Sequence, residues 1–200
     1  MIIIKIFFSL LPVFIFLFVL IIFDSYKLIK LRSLLLTIFM GCVAAFFCIF
    51  INGWLIDILS GNRIFFSKYI APLVEEFAKA IYIIFLIKKK KIGFLVDAAI
   101  YGFAVGAGFA FIENIYYLYE IQDSNLLLWL IRGVGTAFMH GGSTCLFAII
   151  SSFIQEKYRS SNFIIFIPGF LISSIIHSLF NQFLLPPIVT TLIQIISLPI

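Results

Sequence analysis

Residues 33 to 51 read SLLLTIFMGCVAAFFCIFI, nineteen residues without a charged side chain. A helix rises about 1.5 Å per residue, so this stretch covers about 28 Å, close to the thickness of the hydrocarbon core of a bilayer. The rest of the chain has the same character, since 64% of its 200 residues are hydrophobic and 12% are charged. Soluble domains carry about 25% charged residues. We therefore expect an all-α polytopic integral membrane helix bundle.

Further membrane-spanning segments follow when the chain is cut at its charged and turn residues. Five more apolar segments are long enough to cross a bilayer, at residues 6–23, 69–87, 92–119, 126–153 and 163–185. This gives six predicted spans within a single domain, residues 1–200. The apolar segment 188–200, which follows Pro186-Pro187, is too short to cross alone and leaves a seventh span open.

The basic residues indicate the orientation of the bundle. Nine of them fall in the loops on one side, and the other side offers three. Cytoplasmic loops are enriched in Lys and Arg, so we expect the N-terminus outside and the basic run 88–91 in the cytoplasm. The net charge of +5 thus reports membrane topology, and nucleic acid is not an expected partner. The nine are Lys27, Lys30, Arg32, Lys88, Lys89, Lys90, Lys91, Lys157 and Arg159, and the three are Lys5, Arg63 and Lys68.

Several polar and ionisable residues interrupt the last four predicted spans. Such groups are costly inside a membrane and usually functional. The candidates are Glu75, Glu76 and Lys79 in the third span, Glu113 and Asn114 in the fourth, Arg132 and His140 in the fifth, and His177 and Asn181 in the sixth. Helical spacing puts most of them on faces rich in small residues, where another helix can approach closely. We therefore expect them to meet in one cluster.

Charge and depth constrain this cluster. Three carboxylates against Lys79 leave an excess of two negative charges, which a divalent cation, protonation or Arg132 must cancel. Lys79 follows Glu75 by four residues and Glu76 by three, a spacing that favours an ion pair within the helix. Counted from the outer ends of the spans, Glu76, Glu113 and His177 lie about 9–12 Å deep. His140 is fourteen residues into its span and is expected deeper.

The order of these motifs resembles that of a known family. Residues 75–79 read EEFAK, as in EExxK, residues 109–114 read FAFIEN, as in FAxxEN, and residues 177–181 read HSLFN, as in HxxxN. Over residues 68–185 the chain resembles the PrsW family of bacterial intramembrane proteases, distant relatives of CAAX-type prenyl endopeptidases and bacteriocin-immunity proteins. Where the CAAX-type relatives carry His, this chain has Glu113-Asn114, which argues against a prenylated substrate.

The resemblance implies an intramembrane endopeptidase in the bacterial plasma membrane, acting on a membrane-anchored protein in the lipid bilayer. In the best-known member that substrate is an anti-sigma factor of a stress response. Two mechanisms fit the residues, and the choice between them stays open. Either Glu75 or Glu76 with His140 activates water while His177 and Asn181 stabilise the oxyanion, or a divalent metal ion such as zinc is bound.

For the metal mechanism, the expected ligands come from Glu113, His140 and His177, with one glutamate left as base. Asn114, Asn181 and Lys79 are the expected positioning residues. The protein therefore needs either one divalent metal ion or no cofactor. The sequence leaves the oligomeric state open.

Other classes of function use similar residues. A proton-coupled or ion-coupled transporter would relay ions through the same buried groups, although many such carriers contain an internal repeat and none is evident here. A non-catalytic immunity or scaffold protein would share the fold. The string 141–144, GGST, also has a faint likeness to the GxSx of rhomboid serine proteases, which would leave three carboxylates without a role.

Overall fold

A computed structural model describes residues 2–23, 29–59, 62–120, 126–159 and 162–182, and every regular element in these ranges is helical. The region 188–200, considered above as a seventh span, lies outside them. The helices are α1 (Ile2–Phe23), α2 (Leu31–Ile58), the short α3 (Arg63–Phe65) with a π-helical turn (Phe66–Ile70), α4 (Ala71–Lys88), α5 (Leu95–Glu120), α6 (Leu126–Tyr158), a 3₁₀ turn (Phe163–Phe166) and α7 (Ile167–Asn181).

Within these described ranges, four segments are long and apolar enough to cross a membrane: Leu31–Ile58, Leu95–Tyr119, Trp129–Tyr158 and Phe163–Asn181. Each coincides with a predicted span, so the all-helical membrane fold is confirmed. The predicted third span corresponds to α4, whose charged residues lower its apolar character, and the first corresponds to α1. The count of six spans and the outside N-terminus stay predictions. Large apolar side chains such as Phe39 and Phe50 point away from the bundle, as lipid-facing residues do.

The centre of the bundle is α5, which packs against α6 on one side and α2 on the other. Its small residues permit close approach to α6. A Cβ on Gly102 would lie 2.7 Å from the carbonyl oxygen of Thr144, and one on Gly106 would collide with the carbonyl of His140. The predicted small-residue face of this helix is therefore the contact with α6. Below it, Ile83, Tyr101 and Phe147 belong to a core cluster shared by α4, α5 and α6.

A second pair of glycines joins α5 to α2. A Cβ on Gly41 would overlap the carbonyl of Val105, and a Cβ on Gly108 would overlap the carbonyl of Ile38. The thiol of Cys42 donates to the carbonyl oxygen of Gly108 across 3.2 Å. The packing of α2 on α5 fixes the register of the two helices. It also positions α2 as one wall of the site described below.

The C-terminal end of α7 is attached to the π-helical turn that precedes α4. Ser178 Oγ donates to the carbonyl oxygen of Lys68 at 2.6 Å, and Asn181 Nδ2 donates to that of Ser67 at 3.0 Å. Since α4 follows this turn directly, the two hydrogen bonds fix α7 beside α4. They thereby align the histidine of α7 with the carboxylates of α4.

The glycine contacts predict that substitutions at Gly108 of α5 and at Gly53 of α2 differ in their effect on stability. Gly108→Val should destabilise the protein by about 1–3 kcal/mol because the new side chain would force α2 and α5 apart. Gly53→Val is the matched control, since a Cβ there meets no atom within 4 Å. Unfolding in mixtures of dodecyl maltoside and SDS, followed by circular dichroism, measures both. Equal stability of the two variants would show that α2 does not depend on this contact.

Candidate active site

The first part of the site is a buried ion pair on α4. Glu76 and Lys79 both face the inside of the bundle, one helical turn apart, and both are buried. Lys79 Nζ lies 2.6 Å from Glu76 Oε1. The expected pairing within the helix is therefore present. It assigns the positive charge of Lys79 to Glu76 and leaves the excess of two negative charges on Glu75 and Glu113.

Glu76 joins three helices through one carboxylate oxygen. Besides Lys79, its Oε1 accepts hydrogen bonds from Ser143 Oγ of α6 at 2.9 Å and from His177 Nδ1 of α7 at 2.8 Å. A buried carboxylate is tolerated only when donors replace its lost water, and these three replace it. The contact also fixes the ring of His177, because Nδ1 carries the donated proton and Nε2 is left as a lone-pair donor.

His140 of α6 lies at the same level as these residues. Its Nδ1 is 3.2 Å from Lys79 Nζ, and its Nε2 contacts Glu113 Oε2. Its ring lies 4.7 Å from the ring of Phe109 and 4.8 Å from that of His177.

The expectation that His140 lies deeper holds for Glu113 but not for Glu76. The carbonyl of His140 packs against Gly106, seven residues before Glu113 on α5, whereas Glu76 contacts Ser143, about one turn beyond His140 on α6. The pairing of Asn114 with Thr136 and of Tyr117 with Arg132 shows that α6 begins about one turn above the level at which α5 ends. Counting residues from the start of α6 therefore overestimates the depth of His140.

Glu113 links the cluster to the predicted basic residue. Arg132 Nη2 is 3.8 Å from Glu113 Oε1, and its guanidinium lies 3.8 Å from the ring centre of Tyr117. Arg132 thus reaches inward and offsets part of the remaining negative charge. The aromatic ring covers the other face of the guanidinium, an arrangement that favours Arg over Lys.

Glu75 lies on the side of α4 that faces α2. Its Oε2 is 3.6 Å from His177 Nε2, and its Oε1 accepts a hydrogen bond from Asn52 Nδ2 at 3.0 Å. Asn52 was not among the predicted site residues. The available signal was a single amide in the otherwise apolar stretch of α2, which sequence alone does not connect to Glu75.

Three of these residues could hold a metal ion. Glu75, His140 and His177 each offer a ligand atom, and these atoms lie within 4.8 Å of one another. The set shares both histidines with the predicted one, while Glu75 takes the place of Glu113. Two imidazoles and a carboxylate suit zinc. The hydrogen bond from His177 Nδ1 to Glu76 is the usual second contact of a zinc-binding histidine, so the residues fit the metal.

The two predicted asparagines lie outside this arrangement. Asn114 is buried and its Oδ1 accepts a hydrogen bond from Thr136 Oγ1 at 3.0 Å, on the α5–α6 contact. Asn181 is at the C-terminal end of α7, where it donates to the carbonyl oxygen of Ser67. The structure brings together Glu75, Glu76, Lys79, Glu113, His140 and His177.

Comparison with known proteins agrees with this geometry. The sequence model of a family described as PrsW family intramembrane metalloprotease matches residues 30–200. The protein is also 35% identical over 97 residues to Protease PrsW of Clostridioides difficile (strain 630), an alignment that covers 48% of this chain and 40% of that relative. No solved structure gives a significant match. The chain belongs to the PrsW family of intramembrane proteases.

Proposed function

We propose that this protein is an intramembrane endopeptidase of the bacterial plasma membrane that hydrolyses a peptide bond in a membrane-anchored protein. The observation that carries the proposal is the convergence of Glu75, His140 and His177, with ligand atoms within 4.8 Å of one another, around the buried Glu76. Family membership supports proteolysis. A membrane-anchored anti-sigma factor is the substrate class that the family resemblance suggests.

The proposed cofactor is one zinc ion held by Glu75, His140 and His177. Such an ion supplies Lewis-acid activation of a water molecule and of the peptide carbonyl. The protein contributes the fixed orientation of its ligands. Asn52 holds Glu75 from α2, and Glu76 holds the ring of His177 with its Nε2 turned toward Glu75.

Glu113 is the proposed general base. Its carboxylate contacts His140 Nε2, and its side chain is more exposed than that of Glu76. Because Lys79 donates to His140 Nδ1, the proton of the neutral imidazole belongs on Nε2, facing Glu113. Glu113 thus accepts a hydrogen bond from this Nε2–H. If His140 bound zinc through Nε2, its proton would sit on Nδ1 in place of the contact with Lys79, and the ionised Glu113 would be free to accept a proton from water during hydrolysis.

Lys79 has a supporting role in this proposal. It neutralises Glu76 and contacts Ser143 at 3.5 Å and His140 at 3.2 Å, so it joins α6 to α4. The positive charge of Lys79 beside Glu76 favours the ionised carboxylate, which is the form that accepts the hydrogen bond from His177.

Substitution of the central residues should abolish cleavage. Glu76→Gln and, separately, His177→Ala should each lower cleavage of single-span membrane proteins by at least about a hundredfold, since each removes a fixed ligand or its anchor. The purified variants are assayed in detergent against a panel of such substrates. Glu156→Gln, an exposed carboxylate at the other end of α6, is the matched control and should cleave normally.

Retained cleavage by either variant would remove that residue from the active site. A native protein that cuts no substrate but carries ions in proteoliposomes would favour a carrier. A native protein that does neither would favour a scaffold of the same fold.

Metal removal should separate the two hydrolytic mechanisms. The native protein should contain about one zinc ion per chain, and Glu75→Gln or His177→Ala should lower that content. A strong chelator should stop cleavage, and added zinc should restore it. Full cleavage by metal-free protein would instead support direct activation of water by the carboxylates and His140.

Substitution of Lys79 should lower the stability of the folded protein. Lys79→Met leaves the Glu76 carboxylate buried without its cation and should cost about 3–5 kcal/mol. The double variant Lys79→Met/Glu76→Gln should recover most of this loss, because the unpaired charge is removed as well. Unfolding in dodecyl maltoside and SDS measures both. A Lys79→Met protein as stable as the native one would show that Glu76 does not require this partner.

A further inference from the structure

A cleft of about 400 Å³ adjoins the candidate active site between α2, α4 and α5. Glu75 and Glu113 both line it. Their side chains are 14% and 21% exposed, whereas those of Glu76, His140 and His177 are 0–1% exposed. The cleft therefore reaches the cluster through these two carboxylates, and the remaining groups are sealed behind them.

The α2 wall of the cleft contains three small residues, Ala45, Cys48 and Gly53, beside larger ones such as Ile49 and Ile56. Gly53 differs from the glycines at the helix contacts, such as Gly41 and Gly108. A Cβ at Gly53 would meet no atom within 4 Å, so no packing contact requires a glycine there. Glycine inside a helix costs about 1 kcal/mol relative to alanine. The absence of a side chain at Gly53 leaves open space along the cleft.

The volume of the cleft indicates whether a substrate segment would bind as a helix or as an extended chain. One turn of a helix with its side chains is about 10 Å wide and about 5.4 Å tall, so it fills about as much space as the entire cleft. A cleft of this size therefore favours an extended chain over a spanning helix as its occupant. Unwound backbone inside a membrane must find hydrogen-bonding partners in protein or water. Asn52, Asp57, Arg63 and Ser67 give the cleft a polar edge that can supply them.

We propose that this cleft binds an unwound, extended segment of a single-span substrate, with the scissile carbonyl at Glu75 and Glu113, and that Gly53 limits the size of the substrate side chain beside it. The inference rests on the proposed function, because it assigns the substrate route of that same site. It makes Gly53 a specificity-determining residue and α2 part of the enzyme's substrate-binding surface.

A size series at Gly53 tests the assignment. Gly53→Ala should change the KM little, Gly53→Leu should raise it about tenfold, and Gly53→Trp should abolish binding, with the zinc content unchanged throughout. A substrate in which one large residue near the cut is replaced by Ala or Gly should recover cleavage by Gly53→Leu. Phe39→Trp, on the lipid-facing side of the same helix, is the matched control and should cleave normally.

Native KM values for both Gly53→Leu and Gly53→Trp would overturn the proposal. So would an equal loss with every substrate, because a specificity residue must discriminate by size. Circular dichroism and the unfolding midpoint establish that each variant is folded, and the leucine variant keeps the test valid if the tryptophan variant is not.

Photo-crosslinking separates this inference from the question of catalysis. Synthetic single-span peptides carrying benzophenone at successive positions of the outer half are irradiated with the inactive Glu76→Gln protein. The proposal expects crosslinks to residues 45–57 of α2 and 109–117 of α5, lost in Gly53→Trp and kept in Phe39→Trp. Such crosslinks without any cleavage by the native chain would contradict the proposed function and retain the cleft as a binding site. Crosslinks confined to α1 or α7 would overturn the cleft itself.

Discussion

The buried carboxylate of Glu76 is the constraint on which the site depends. A charged group in the low-dielectric interior of a membrane bundle requires donors that replace its hydration. Here Lys79, Ser143 and His177 provide them from α4, α6 and α7. The helices therefore meet where this charge is satisfied, and the same contacts orient the groups that would carry out hydrolysis. Stability and function are combined in a few hydrogen bonds.

The glycines of α5 make this convergence sterically feasible. Gly102 and Gly106 let α6 approach so closely that His140 reaches Glu113 and Lys79, and Gly108 does the same for α2 and Asn52. Membrane helices gain little from hydrophobic burial against each other, so close backbone contact of this kind is a main source of their association. The most tightly packed helix thus lies directly beside the most polar part of the protein.

The amino-acid sequence alone predicted the helical membrane fold and most of the clustered residues, because long apolar segments and intramembrane charges have strong physical meaning. It could not predict the relative heights of helices. The depth of His140 was overestimated because the extension of α6 above α5 depends on the packing of these two helices. For the same reason the sequence did not predict that Glu75, rather than Glu113, completes the set of three close ligand atoms. Nor did it predict the contact of Asn52 with Glu75. Asn181 matched a family motif, yet the structure places it on the carbonyl of Ser67.

The two hydrogen bonds between the end of α7 and the π-helical turn have a mechanical consequence. They tie the C-terminal end of α7 to the start of α4, so a tilt of one helix would carry the other with it and keep His177 beside Glu76. On the other wall of the cleft, Asn52 provides a hydrogen bond from α2 to Glu75. The two carboxylates of α4 are thereby held from opposite sides, so a movement of either neighbouring helix would change the geometry of the cluster.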